Sequence, residues 1–215
     1  MLILLPPSEG KHSPEKGSAL KLGTLSFVGE LDGIRKKLLA SIETHRCMPV
    51  HQIYTGVLYQ ALDYVTLSSA AKKRAEKSVV VISSLFGVLR LHDLIPTYRM
   101  KISTGVWKKA ITKELEALGS NLIVDCRSST YVGVWIPEHR KTVAVRVFQM
   151  KSGKKSVITH MSKKYRGELT RYLLLESQAP KSPEEVLRIA RKHFTAELIS
   201  ATEKDPFYLD LFIHA

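Results

Sequence analysis

The chain has 215 residues, with 33 Lys and Arg against 20 Asp and Glu, a net charge of +13. Hydrophobic residues at 44% and charged residues at 25% are globular proportions. They exclude a disordered or collagen-like chain, and the length allows a substantial core. The positive surplus exceeds what solubility requires and points to a polyanionic partner, either nucleic acid or a phosphorylated ligand.

Two cysteines, Cys47 and Cys126, exclude a disulfide framework and lack Cys-x-x-Cys spacing. A reducing, cytoplasmic setting is expected. Apolar Met1–Leu5 ends at Pro6-Pro7, too short for a signal peptide, and no window approaches the ~18 apolar residues of a membrane span.

Leu2–Leu5 reads as a short buried strand, and a Gly-rich loop follows to Gly29. Ile34, Leu38, Leu39 and Ile42 have helical spacing; Val57–Tyr64 and Ser68–Lys77 read as two further helices. Val79–Ile82 is a β-branched run typical of a buried strand. Trp107–Leu118 has an amphipathic helical repeat stopped by Gly119. Leu122–Val124 and the alternating Lys141–Met150 read as strands, with Ser156–Thr159 pairing to the latter. Met161–Glu176 is helical. Ser182-Pro183-Glu184-Glu185 is an N-cap, a first-turn Pro and a capping box, opening a helix to about Phe194. Phe207–Ile213 closes the chain as a strand. Without regular βαβ alternation, this order favours an α+β fold with a mixed sheet over a doubly wound one. Residues 1–215 read as a single domain, since no stretch is rich enough in Gly, Ser or Pro to be a linker.

Several segments carry candidate chemistry. Pro6–Lys11 follows the first strand, a geometry in which loop amides and an ammonium converge on phosphate, although the Walker A spacing is absent. Leu85-Phe86-Gly87-Val88-Leu89-Arg90 resembles the hairpin of a helix-hairpin-helix element, which grips phosphate without reading bases. Thr55-Gly56-Val57, at the start of the Val57–Tyr64 helix, is a second candidate for it. Asp125–Tyr131 leaves a buried strand where sheets place ligand groups; Cys126 has no evident catalytic partner there and reads as an inert buried thiol. Between positions 151 and 171 seven Lys or Arg face one acid, Glu168. Lys163, Lys164, Arg166 and Arg171 share the polar side of the Met161–Glu176 helix. Gly167 sits within that stretch at a cost of about 1 kcal/mol relative to Ala, so the close approach of a ligand phosphate or another backbone is expected there. The eight His show no metal-ligand spacing, and no G-x-S-x-G is present. No metal or cofactor is called for.

Taken in order, the Pro6–Lys11 opening, Tyr54-Thr55-Gly56, the Leu85–Arg99 block, Ser129-x-Tyr131 and Lys163-Lys164-x-Arg166-Gly167-x-x-x-Arg171 resemble the peroxide-stress protein YaaA family. The opening departs from the family's founding pattern, so only Lys11 carries over there. The resemblance implies a cytoplasmic bacterial protein of the oxidative-stress response. It also implies a mixed α/β domain with a basic cleft and a helix-hairpin-helix-like element, binding duplex or distorted DNA, and it brings no reaction. The expected binding set is Lys11, Tyr54, Thr55, Gly56, Gly87, Arg90, Tyr98, Arg99, Ser129, Tyr131, Lys163, Arg166, Gly167 and Arg171, with Tyr54, Tyr98 and Tyr131 stacking on exposed bases. The alternative is an enzyme acting on a nucleotide-like or phosphorylated small molecule in the same cleft.

Overall fold

In the computed structural model, which describes residues 1–151, 154–157 and 161–214, five parallel strands form the centre of one sheet. They are β1 (Leu2–Leu5), β3 (Val79–Ser83), β6 (Ile123–Asp125), β7 (Thr142–Lys151) and β10 (Phe207–His214). Antiparallel strands β4 (Gly87–Leu89) and β9 (Thr195–Ile199) form its edges, giving the order β4-β3-β1-β6-β7-β10-β9. β8 (Lys154–Val157) pairs with the far half of β7, beyond the end of β6. The part of the expected Ser156–Thr159 strand after Val157 lies outside the described residues. A separate ribbon joins β2 (Met48–Pro49) to β5 (Leu94–Ile95).

The central strands are short, apolar and buried on both sides, as parallel strands covered by helices must be. Ile3, Leu5, Val79 and Val81 point into a core packed by α2 (Val50–Ile53), α3 (Val57–Leu62), α4 (Ser69–Ser78), α7 (Ser162–Leu175) and α8 (Pro183–Ala190). Leu2, Leu4, Val80 and Ile82 face a second core, filled by Leu31 of α1 (Glu30–Leu38) and by Trp107, Ile111 and Leu115 of α5 (Thr104–Ala117). Alternate residues of one strand therefore build opposite layers. Ser68 and Ser182 cap α4 and α8 by accepting from Ala71 and Glu185 amides.

The sheet is mixed and the fold is mixed α/β, as the sequence led us to expect, but its parallel core with helices on both faces is closer to the doubly wound arrangement that the element order disfavoured. The strand order adds something that the irregular element order hid. From β1 the chain passes to β3 on one side, then returns across β1 to β6 on the other. The carboxyl ends of β1 and β6 thus frame a topological switch point, where open parallel sheets form a crevice.

Leu85–Leu89 is not the hairpin of a helix-hairpin-helix element: it turns β3 into β4. Gly87 is required there by a φ of +74° and by the Trp107 ring, which a Cβ would approach to 2.7 Å. Trp107 Nε1 donates to the Ser84 carbonyl at 2.9 Å, and the fully buried Arg35 donates to the Phe86 and Val88 carbonyls, both at 3.0 Å. The similar Tyr54–Leu58 segment instead joins helix α2 to α3, so the two share a sequence pattern and no structure.

Candidate functional site

A cleft of about 250 Å³ occupies the switch point. Its floor and walls come from the loop after β1 (Pro6–Gly10), the start of α3 (Gly56–Tyr59), Ser128 and Tyr131 of the segment after β6, and Ser162, Lys163 and Arg166 in the first turns of α7. The segment after β6 contains the short helix α6 (Ser129–Val132).

Ser8 fixes the first loop. Its buried hydroxyl donates to the Gly10 carbonyl at 2.6 Å and accepts from the Gly56 amide at 2.8 Å. The Thr55 amide donates to Gly10 at 3.0 Å, and His12 to Ile53 at 2.8 Å, so the loop is zipped to the α2–α3 turn. Beneath it, Tyr54 and Tyr98 hydroxyls lie 2.6 Å apart, Ser83 Oγ lies 2.8 Å from that of Tyr98, and Tyr59 donates to the Pro6 carbonyl at 2.7 Å. Burial raises the pKa of all three tyrosines.

After β6, Asp125 receives Arg127 in a two-pronged ion pair at 2.6 and 2.9 Å, and the same guanidinium donates to the Tyr131 carbonyl at 3.1 Å. This buried pair aims α6, and hence the half-buried Tyr131, at the cleft. Burial, with Tyr98 and Glu9 nearby, raises the Tyr131 pKa.

On α7, Lys164 is paired with Glu168 at 3.7 Å, whereas Lys163 and Arg166 line the cleft. Arg166 Nη2 donates to the Val145 carbonyl at 3.1 Å, and its guanidinium lies near Cys126. The α7 amino terminus adds partial positive charge on the same side. Cys126 is fully buried, with its pKa pushed up to about 12; it is an unreactive core thiol.

The expected binding set divides. Gly56, Tyr131, Lys163 and Arg166 line the cleft. Lys11 is just behind it, donating to the Ser8 carbonyl at 2.5 Å with its ammonium 4.6 Å from the Tyr98 ring centre. Its pKa is lowered by burial, opposed by Glu9 and assisted by Arg99. Thr55, Arg99 and Ser129 are exposed around this end of the sheet. Tyr54 and Tyr98, at 1% and 3% exposure, are core residues and have no free face for a base.

Four residues belong elsewhere. Arg90 is buried at the opposite, amino end of the sheet, donating to the Lys77 and Val79 carbonyls. Gly87 serves the β3–β4 turn. Arg171 caps the end of α3, bonding the Leu62 and Asp63 carbonyls at 3.0 and 2.8 Å. Gly167 faces α3 rather than a ligand: a Cβ would lie 2.1 Å from the Leu58 carbonyl oxygen. The Pro6–Lys11 and Asp125–Tyr131 segments were marked from sequence, but neither Ser8 nor the orienting Arg127 was placed in the binding set. Both lie at strand exits, which was the available signal. Among the described residues no three His, Cys, Asp or Glu gather to hold a metal, and no helix is long and apolar enough to cross a membrane.

Fold and cleft together define a three-layer α/β protein with a cation-bearing crevice at the carboxyl edge of its parallel strands. The family model described as peroxide stress protein YaaA matches residues 29–198. A UPF0246 protein of Streptomyces coelicolor is 33% identical over a 259-residue alignment covering 100% of this chain and 99% of that protein. Others from Corynebacterium glutamicum and Corynebacterium efficiens are 32% and 33% identical, each covering 89% of this chain and 92% of the relative. The chain belongs to the peroxide stress protein YaaA (UPF0246) family.

Proposed function

We propose that this protein acts in the bacterial cytoplasm, in the peroxide-stress response its family is named for, by binding duplex or distorted DNA without reading its sequence. The observation that carries this is the convergence of Lys163 and Arg166, from the first turns of α7, on the switch-point cleft. Backbone phosphate would meet two cations and a helix amino terminus there. The net charge of +13 supplies the long-range attraction that non-specific binding needs. The α2–α3 turn at Tyr54–Gly56 stands beside the cleft and is the segment to which a helix-hairpin-helix role would fall, although its Gly56 amide is already bonded to Ser8.

A second reading puts a phosphorylated small molecule in the same cleft. It is favoured by the cleft's enclosure and by Glu9 on its wall, which a pure phosphate grip does not need. Titration with a random-sequence duplex at two salt concentrations separates the two. DNA binding through about six phosphates gives a log–log slope near −5. Binding that ignores salt, or no binding at low salt, rejects the DNA reading.

A further inference from the structure

At about 250 Å³ the cleft is smaller than the usual 300–1,000 Å³ of a drug-sized ligand pocket. An intact duplex can lay phosphates along its rim but has no part that fills it. The walls are chemically divided. Pro6, Pro7, Val57 and Leu58 give aliphatic surface and Tyr131 gives an aromatic ring, while Lys163 and Arg166 supply charge. Glu9, also on the wall, repels a phosphate but accepts hydrogen bonds from an exocyclic amine, as acidic side chains do from cytosine. A ligand that satisfies all three features has a flat ring with an amine and one anionic group a short distance away.

Resting on the DNA reading above, we propose that the cleft receives one nucleotide turned out of the duplex. Its base lies against the proline, Val57 and Tyr131 surface, and its phosphate is held by Lys163 and Arg166. Extrusion costs least where a base is already unpaired, so the cleft selects duplexes with a bulged nucleotide over matched ones.

The test uses the full chain and two duplexes that differ only in one unpaired 2-aminopurine, whose fluorescence rises when it leaves the stack. The bulged duplex is expected to bind about tenfold more tightly, the scale of one base stacked on protein, with a rise in fluorescence. Val57→Trp, which fills the cleft, is expected to bind both duplexes alike. As an arm that does not depend on the folding of that variant, wild-type protein is also challenged with free competitors. Deoxycytidine monophosphate should displace the bulged duplex at a concentration at least tenfold below that needed with inorganic phosphate. Equal affinity for the two duplexes with unchanged fluorescence, or equal competition by the two anions, overturns the proposal while salt-sensitive duplex binding keeps the DNA reading intact. No binding of either duplex at about 50 mM salt overturns that reading, and the extruded nucleotide with it.

Discussion

Replacing Gly167 with Ala tests whether α7 is shaped by its ligand or by its neighbour. On an isolated exposed helix the change would stabilise by up to about 1 kcal/mol through helix propensity. Here α3 and α7 form the most extensive helix–helix contact among the described residues. The new methyl carbon would fall 2.1 Å from the Leu58 carbonyl oxygen and 3.0 Å from Ala61 Cβ. A tolerable carbon–oxygen approach is about 3.3 Å, so the helices must part by about 1 Å. Both offending atoms belong to or adjoin the backbone and cannot rotate away. Overpacking of this kind costs about 1–3 kcal/mol. The severity of the contact puts Gly167→Ala at the upper end, which leaves a net loss of about 2 kcal/mol after the propensity gain. At 2–4 °C per kcal/mol for a chain of this size, the melting temperature falls by about 4–8 °C. Urea unfolding gives the same quantity as a lower midpoint at unchanged m. A variant as stable as the parent, or more so, would refute the packing argument and return Gly167 to the ligand cleft.

Further outcomes follow from the same contacts. Ser8→Ala leaves the Gly56 amide without its bond, and the protein should lose about 1–2 kcal/mol in urea unfolding; unchanged stability would show that the loop is held without it. The Cys47 and Cys126 thiols, pushed up by burial to about 11 and about 12, should resist maleimide and hydrogen peroxide in the native protein and react only after unfolding. Rapid sulfenic acid formation, read by mass spectrometry, would contradict this. Tyr54, Tyr59 and Tyr98 have pKa values raised by burial, so above about pH 10 the unfolded chain binds fewer protons than the folded one and stability falls with rising pH. The share of the tyrosinate absorbance that these three of the eight tyrosines contribute should therefore appear only with loss of helix; ionisation of all eight before unfolding would place these hydroxyls in water.

The local rules read from sequence were strongest where one residue type decides the backbone. The Val79–Ile82 strand, the Ser182 cap and the Trp107 helix stripe are fixed by side-chain shape and hydrogen bonding within a few residues, and they appear where expected. Leu85–Leu89 failed because apolar-Gly-apolar marks a tight turn without saying whether strands or helices flank it. Gly167 was half legible: a helical glycine announces close approach, and of the two expected neighbours, a ligand phosphate and another backbone, the structure supplies the backbone of α3. Arg90 and Arg171 bond main-chain carbonyls, and only tertiary structure separates such an arginine from one that faces a ligand. Strand exits were legible, and Pro6–Lys11 and Asp125–Tyr131 do meet at one crevice. That β1 and β6 are neighbours, which makes the crevice, depends on strand order and on no local pattern.

Whether the switch-point cleft holds the polyanion is read from the salt dependence of duplex binding in the parent and in the Lys163→Ala/Arg166→Ala double variant. Both side chains lie at the cleft. Weaker binding and a log–log slope shallower by about two, one for each lost phosphate contact, are expected, with the fold intact by circular dichroism. A correctly folded double variant that binds with the parent's affinity and slope would contradict polyanion binding at the cleft.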